Sequence, residues 1–419
     1  MNHVRRHSRW LLSAVVLLIV VAGPAWTSAT SAELVATDGL QSLIDAADDG
    51  DVVEVPPGRW AGPIVVDKAI TLRGAGGIID GLGEGIALRI TAARAVVDGV
   101  PVQNSGRDLG GASPDSCIRL EPEARSAVVR GVTLRGCAFG IWVHQSPKAQ
   151  LLDNRVFGAE RGHRSERGNG LHLFDASELL VRGNHITGGR DGIYVGATED
   201  SLIEANVMER TRYGIHYMFS YSNIVRGNHA RHNGSGLALM QSHYLVVTDN
   251  VVTDNTGHGI LFRDARDCEI RRNRVERNGQ GLFFFSATEN TIADNQLLHN
   301  EVGARIWAGS VRNEVENNTF VGNRRQILYI GTDDLEWGVD KPGNFWGDYL
   351  GWDQTGDGIG DRPYRVDSFT ANLTHQYPAA SLLLRSPSLE FLARLEQQLP
   401  FLRTPTVIDH QPRMHREAR

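Results

Sequence analysis

Four side chains give this 419-residue sequence its most distinctive donor chemistry: His172, His216, Met218 and Met240. His216 and Met218 are two residues apart, about 7 Å along an extended strand. Thioether and imidazole together form a soft ligand set that suits Cu(I) and discriminates against hard cations. The competing reading is that methionine and histidine on a sticky surface are contact residues. Hard-cation chemistry has a separate candidate in Asp353, Asp357 and Asp361, acids four residues apart in a loop that could hold Ca²⁺. Their spacing is not that of an EF-hand, and stabilising a turn or cap is the plainer role. His185, His229, His232, His243, His258 and His299 fall at polar turns and read as solvated or capping residues.

The elements that position these side chains belong to a repeat. Glycine recurs at 170, 192, 214, 236, 259, 281 and 303, and asparagine at 184, 206, 228, 250, 273, 295 and 317. Both series have intervals of 22, 22, 22, 23, 22 and 22. Two markers sharing one period identify a solenoid. The first and third residues after each glycine are apolar, as in Leu171/Leu173, Ile193/Val195, Ile215/Tyr217 and Leu237/Leu239. That alternation is a strand with one buried face. Apolar pairs also flank each asparagine, such as Val181 and Ile186, while the return segment is short and polar. The expected coil is strand, turn, strand, turn, stacked about 4.8 Å from the next. The fold class is therefore all-β, a right-handed parallel β-helix of the pectin-lyase-like kind with coils of about 22 residues. Asparagines at one corner can ladder, each side-chain amide bonding the next.

The second and fourth residues after each glycine must then point outward. They include Trp142, His172, Tyr194, His216, Ala238, Leu261, Phe283 and Arg305, and beside them His144, Phe174, Gly196, Met218, Met240, Arg263, Phe285 and Trp307. Met240 stands one coil, about 4.8 Å, from Met218, and His172 lies two coils before His216. An exposed stripe of aromatic, histidine and methionine side chains is expected to be an interaction surface. It lacks the two carboxylates that glycoside hydrolysis requires; Asp175, Asp191, Glu204, Asp249 and Asp264 are expected at turns. Gly257-His258-Gly259 is similar to a tripeptide of pectinases, without the accompanying Asp-Asp pair or Arg-x-Lys. No enzymatic activity is expected.

Residues 1–32 read as a cleavable signal peptide: Arg5, Arg6 and Arg9, a 13-residue apolar run from Trp10 to Ala22, then small residues. Its removal shifts the formal charge from −6 to −9, with 40 basic against 49 acidic residues, and nothing asks for nucleic acid. The mature chain is expected to work outside the cytoplasm. Cys117 and Cys137 lie about one coil apart and could pair, whereas Cys268 reads as packing. The β-helix is expected over 33–330, opened by a capping helix from Gly39 to Ala47 with Leu40, Leu43, Ile44 and Ala47 on one face. Loops at Gln103–Pro114 and Gly158–Gly168 interrupt the coils. A C-terminal cap segment is expected over 331–378. Residues 379–419 form a tail with a helical stripe of Leu389, Leu392, Leu395 and Leu399, which either folds back on the last coil or docks on a partner.

Three segments carry a family resemblance: Arg212-Tyr-Gly-Ile-His-Tyr-Met-Phe219, Asn233-Gly-Ser-Gly-Leu-Ala-Leu-Met240, and Asn344-Phe-Trp-Gly-Asp-Tyr349 with Asp357-Gly-Ile-Gly-Asp-Arg-Pro-Tyr364. With the leucine-rich tail through Pro405 to Met414, the mature chain resembles the NosD family, periplasmic β-helix proteins of nitrous oxide reductase maturation. The resemblance implies a non-enzymatic accessory protein docked on an ABC-type transporter made of an ATPase and a membrane subunit, with the tail contacting the membrane subunit. It further implies service to the copper–sulfide centre of nitrous oxide reductase, with a copper chaperone lipoprotein as another partner. Which residues touch copper does not follow from it; His216, Met218, Met240 and His172 come from the repeat register. The alternative is a secreted β-helix that binds or cleaves polysaccharide, as lyases and epimerases do.

Overall fold

The computed structural model describes residues 34–366 apart from 36, 112, 161 and 308, together with 386–387, 391 and 406–416. Residues 1–32 and the leucine stripe at 389–399, apart from Phe391, lie outside it. Each regular coil holds three strands, not the two expected. One coil runs Leu171–Phe174, Leu180–Arg182, His185–Thr187 and then enters the next at Asp191–Gly196. The strands stack in register into parallel sheets of 14, 12 and 12 strands. The third side arises because the chain bends just before each ladder asparagine. Gly183, Ala205, Gly227, Asp249, Arg272, Asp294 and Asn317 all take positive φ, between 53° and 69°. A single left-handed residue breaks a strand and swings the next one round.

The asparagines form the expected ladder, with one correction. Asn154, Asn184, Asn206, Asn228, Asn250, Asn273 and Asn295 each pass a side-chain amide bond to the next, and the series continues through Asn318 to Asn344. Asn318, not Asn317, carries the register, because the last interval lengthens by one residue and Asn317 takes the left-handed bend. Each rung makes further bonds. The Asn228 carboxamide oxygen accepts from both the backbone N–H and the amide of Asn206, and its nitrogen donates to the Ile203 carbonyl at 2.8 Å. A second ladder, not foreseen, runs through Asn233, Asn255, Asn278, Asn300 and Asn323 at another corner.

Glycine recurs in the strand because coils touch there. A Cβ on Gly192 would sit 2.5 Å from the Gly214 carbonyl oxygen and 2.7 Å from Met208. Inside, Leu171, Leu173, Val181 and Ile186 are fully buried, as the alternation requires. Tyr217 is also fully buried, and its hydroxyl has no hydrogen-bond partner, so burial drives the phenol's pKa up.

Both ends are closed. The helix Thr37–Ala46 inserts Leu40 and Ile44, whereas Leu43 is 46 % exposed and off the apolar face expected for it. Gln41 completes the closure: its amide donates to the Val65 carbonyl and accepts from the Val65 N–H on the edge strand Ile64–Val66. That blunts an edge otherwise open to pairing. At the other end Trp346 stacks on Phe320 and Tyr364 on Trp346. Val407–Asp409 folds back between Leu335–Trp337 and Tyr364–Arg365, so this part of the tail belongs to the cap. The Asp409 carboxylate ends the asparagine ladder, accepting from the backbone and amide of Asn344 and from the Trp346 indole. Cys117 and Cys137 form a disulfide, and Cys268 is buried and free.

Asn228→Ala strands a buried N–H and carbonyl and should cost about 3 kcal/mol in urea unfolding, against about 1 kcal/mol for Asn317→Ala off the ladder. Tyr217→Phe removes an unpaired buried hydroxyl and should raise stability by about 1 kcal/mol. A loss there instead would mean the phenol has a partner in solution.

Candidate functional site

The candidate donors lie on the outer face of the glycine sheet, where strand register sets two rows. Trp142, His172, Tyr194, His216 and Ala238 are successive partners in one row. Phe174, Gly196, Met218, Met240 and Arg263 are successive partners in the other. The face was expected to be exposed and largely is not. His172 and His216 are each 8 % exposed, Met240 9 % and Ala238 fully buried. In-register stacking is part of the reason: the His172 ring lies 3.7 Å from Trp142 and 4.6 Å from Tyr194. Ala238, Met240 and Leu261 form a small apolar cluster with Tyr213, Met218 and Phe283. Exposed aromatics are displaced to the strand end and the following turn, at Phe174, Phe219, Tyr221 and Tyr244.

Register puts Met240 opposite Met218, with His216 two residues earlier on the strand of Met218, and places His172 two coils away. Met218 and Met240 face each other across neighbouring strands, and His216 shares a strand with Met218. His172 stands beyond Tyr194, whose ring contacts His172 on one side and His216 on the other. Burial, then the nearby Arg190 charge, pushes the His172 pKa down to about 3, so its imidazole is neutral. Asn169 donates its amide to His172 Nδ1 at 2.9 Å.

The residue that organises His216 is Asp191, expected at a turn but found at the start of a strand and fully buried. Arg212 grips it with two bonds, Nε to Oδ1 at 2.8 Å and Nη2 to Oδ2 at 2.7 Å. His216 Nδ1 lies 3.0 Å from Oδ2. Burial alone would raise the Asp191 pKa, but the bonds from His216 and Arg212 outweigh it and hold the carboxyl below its usual range. The group is an ionised acceptor with both oxygens engaged, which suits orientation of a histidine and not proton transfer to a substrate. Beyond it, His216 Nε2 is buried with no hydrogen-bond partner. This orphaned nitrogen lies two residues from Met218, and Met240 is the register partner of Met218; imidazole and thioether donors together suit a soft monovalent metal ion. Among the described residues no cluster of three or more His, Cys, Asp or Glu side chains could hold a metal; thioethers are not in that set.

The calcium expectation fails on geometry. Asp353 accepts from the amides of Gly356 and Gly358, Asp357 from Ile359 and Asp361 from Gln354. These carboxylates staple their own loop instead of converging. Asp191, Arg212 and Asn169 were missed as site residues, although a signal existed. The position before the first six repeat glycines holds Asn169, Asp191, Tyr213, Ser235, His258 and Gln280, a column of hydrogen-bonding residues bordering the outer face that ends at Val302 before Gly303.

Comparison with known proteins places the fold and the site in context. The model of a family described as periplasmic copper-binding protein (NosD) matches residues 159–351. A Pseudomonas aeruginosa protein named probable ABC transporter binding protein NosD is 39% identical over 376 residues, covering 86% of this chain and 87% of that one. A protein of the same name from Stutzerimonas stutzeri is 34% identical over 418 residues, covering 96% and 94%. Among solved structures, the Yersinia enterocolitica family 28 exopolygalacturonase matches with a TM-score of 0.58 at 12% identity, over 72% of this chain and 78% of that chain. This last likeness is one of fold alone.

The depressed pKa of His172 makes a signed prediction. The folded chain favours the neutral ring, so its contribution is complete above the unfolded value near 6.5 and is lost as pH falls toward 3. Between pH 7 and pH 5 the loss should be about 2 kcal/mol. Urea unfolding of wild type and His172→Phe at both pH values isolates this share; parallel pH profiles would refute it.

Proposed function

Because the chain belongs to the NosD family, we propose that it is a periplasmic accessory protein that handles copper for assembly of the copper–sulfide centre of nitrous oxide reductase. The observation that carries the copper part is the orphaned Nε2 of His216 on the strand that also holds Met218, whose register partner on the next strand is Met240. The family's description as copper-binding supports the same reading. Copper here is cargo: His216, Met218 and Met240 would hold Cu(I), and the soft donors would disfavour harder ions. Residues 1–32 would direct export.

The relatives' name, ABC transporter binding protein, supports docking on a transporter made of an ATPase and a membrane subunit. A stiff solenoid loses little conformational entropy when it binds. Exposed Phe174, Phe219, Tyr221 and Tyr244 lie close to the donor site and offer a contact surface for a partner. A copper chaperone lipoprotein would deliver the ion and nitrous oxide reductase would receive it. Polysaccharide remains the competing ligand class, on fold grounds.

Two measurements test the reading. Deleting the gene and counting copper per subunit of purified nitrous oxide reductase should give enzyme with its electron-transfer copper but without the catalytic cluster. A fully loaded, active enzyme would refute the role and make uronate oligomers the ligand to test. In the purified chain, joint replacement of Met218 and Met240 by leucine should cost less than about 1.5 kcal/mol of stability each while abolishing Cu(I) binding. Unchanged affinity would remove both residues from the site.

A further inference from the structure

The hydrogen bonds around the two buried histidines sort them by tautomer. Asp191 accepts from Arg212 at both oxygens, Oδ2 included, so the His216 nitrogen 3.0 Å from Oδ2 must donate. The proton is on Nδ1. Arg212 Nη2 also lies 3.5 Å from that nitrogen, because both donors aim at the same oxygen. On the neutral ring the lone pair of His216 is then on Nε2, the atom that is buried without a partner. His172 is wired the other way. The Asn169 carboxamide is fixed in orientation because its Oδ1 accepts the Asp191 backbone N–H at 3.3 Å. Its Nδ2 therefore donates to His172 Nδ1 at 2.9 Å. That nitrogen accepts, and on the neutral ring the proton sits on Nε2.

We propose that Asp191 and Arg212 form a positioning pair that presents His216 Nε2 as the nitrogen ligand for Cu(I), while Asn169 holds His172 in the opposite tautomer as a hydrogen-bond donor. The assignment rests on the copper reading above and adds which histidine, which nitrogen and which supporting residues are used. A carboxylate behind a metal-bound histidine fixes the ring's tautomer and orientation and raises its basicity, and losing such a partner costs 10- to 100-fold in metal affinity. Arg212 has a separate part: its two bonds fix the orientation of the Asp191 carboxylate, with Oδ2 aimed at His216. The same backbone stretch serves both histidines, since Asp191 offers its side chain to His216 and its N–H to Asn169.

The test has two parts, both on the full mature chain. Two-bond ¹⁵N–¹H spectra of the metal-free protein, with ring signals assigned from single histidine variants, should show the proton on Nδ1 of His216 and on Nε2 of His172. Cu(I) titration against a chromophoric chelator should show Asp191→Asn binding about 10- to 100-fold more weakly than wild type, with His216 in that variant now a mixture of tautomers. A purely structural role would lower the melting temperature without changing the tautomer. Wild-type chain that binds no Cu(I) overturns the copper reading together with the ligand assignment. Wild-type binding with an unaffected Asp191→Asn variant, or a His216 proton on Nε2, overturns this inference alone. Should Asp191→Asn fail to fold, the tautomer spectra of the wild type still decide between these outcomes.

Discussion

The structure depends on one repeated interaction: the buried side-chain amide that bridges one coil to the next. Each ladder asparagine sits where the chain turns between two strands, with backbone N–H and carbonyl groups that neither strand can satisfy. The amide supplies a donor and an acceptor at once, and so answers needs of its own coil and of its neighbour. An unpaired buried amide costs about 1–3 kcal/mol, so a one-residue slip of one coil would be penalised along the corner. The ladder is a register device before it is a source of stability. It runs from Asn154 to Asn344 and ends on Asp409, tying the returning C-terminal strand to the last coil.

Register then determines the outer face. With coils locked, residues 22 or 23 positions apart become neighbours about 4.8 Å apart, and their side chains form rows. Trp142, His172 and Tyr194 stack, and Met218 meets Met240. The glycine column works toward the same end, because the tight approach of Gly192 to Gly214 leaves no room for a side chain that would splay the sheet. A rigid face of this kind holds ligands in place with little reorganisation, a property suited to holding and passing on an ion.

Within that face the chemistry divides sharply. The buried carboxylate Asp191 is committed to Arg212 and His216, and Glu121 accepts from both Arg89 and Arg119. Carboxylates engaged in this way orient other groups. The buried atoms without a hydrogen-bond partner on these rows are His216 Nε2, His144 Nδ1, the Trp142 and Trp307 indole nitrogens and Arg305 Nε; the imidazole nitrogens, with the thioethers of Met218 and Met240, are the softer donors among them. The scaffold itself does not set the function; that rests on the atoms of the site.

Much of this was legible beforehand. Two markers with one period specified a solenoid, alternation after each glycine specified the buried face, and counting in steps of 22 placed Met218 beside Met240 and His172 two rows from His216. Those conclusions need only local periodicity, which sequence carries directly. The three-sided coil, the shift from Asn317 to Asn318 and the second ladder through Asn255 were not legible, because each turns on a single left-handed residue or on a corner that looks like any polar turn. The burial of the outward face was not legible either, since alternation states which way a side chain points and not what lies against it. Least accessible was the union of Asp191, Arg212 and His216, and with it the choice of nitrogen. A histidine's tautomer is set by what its other nitrogen touches, and for His216 that partner comes from the neighbouring coil, 25 residues away in sequence and 3.0 Å away in space.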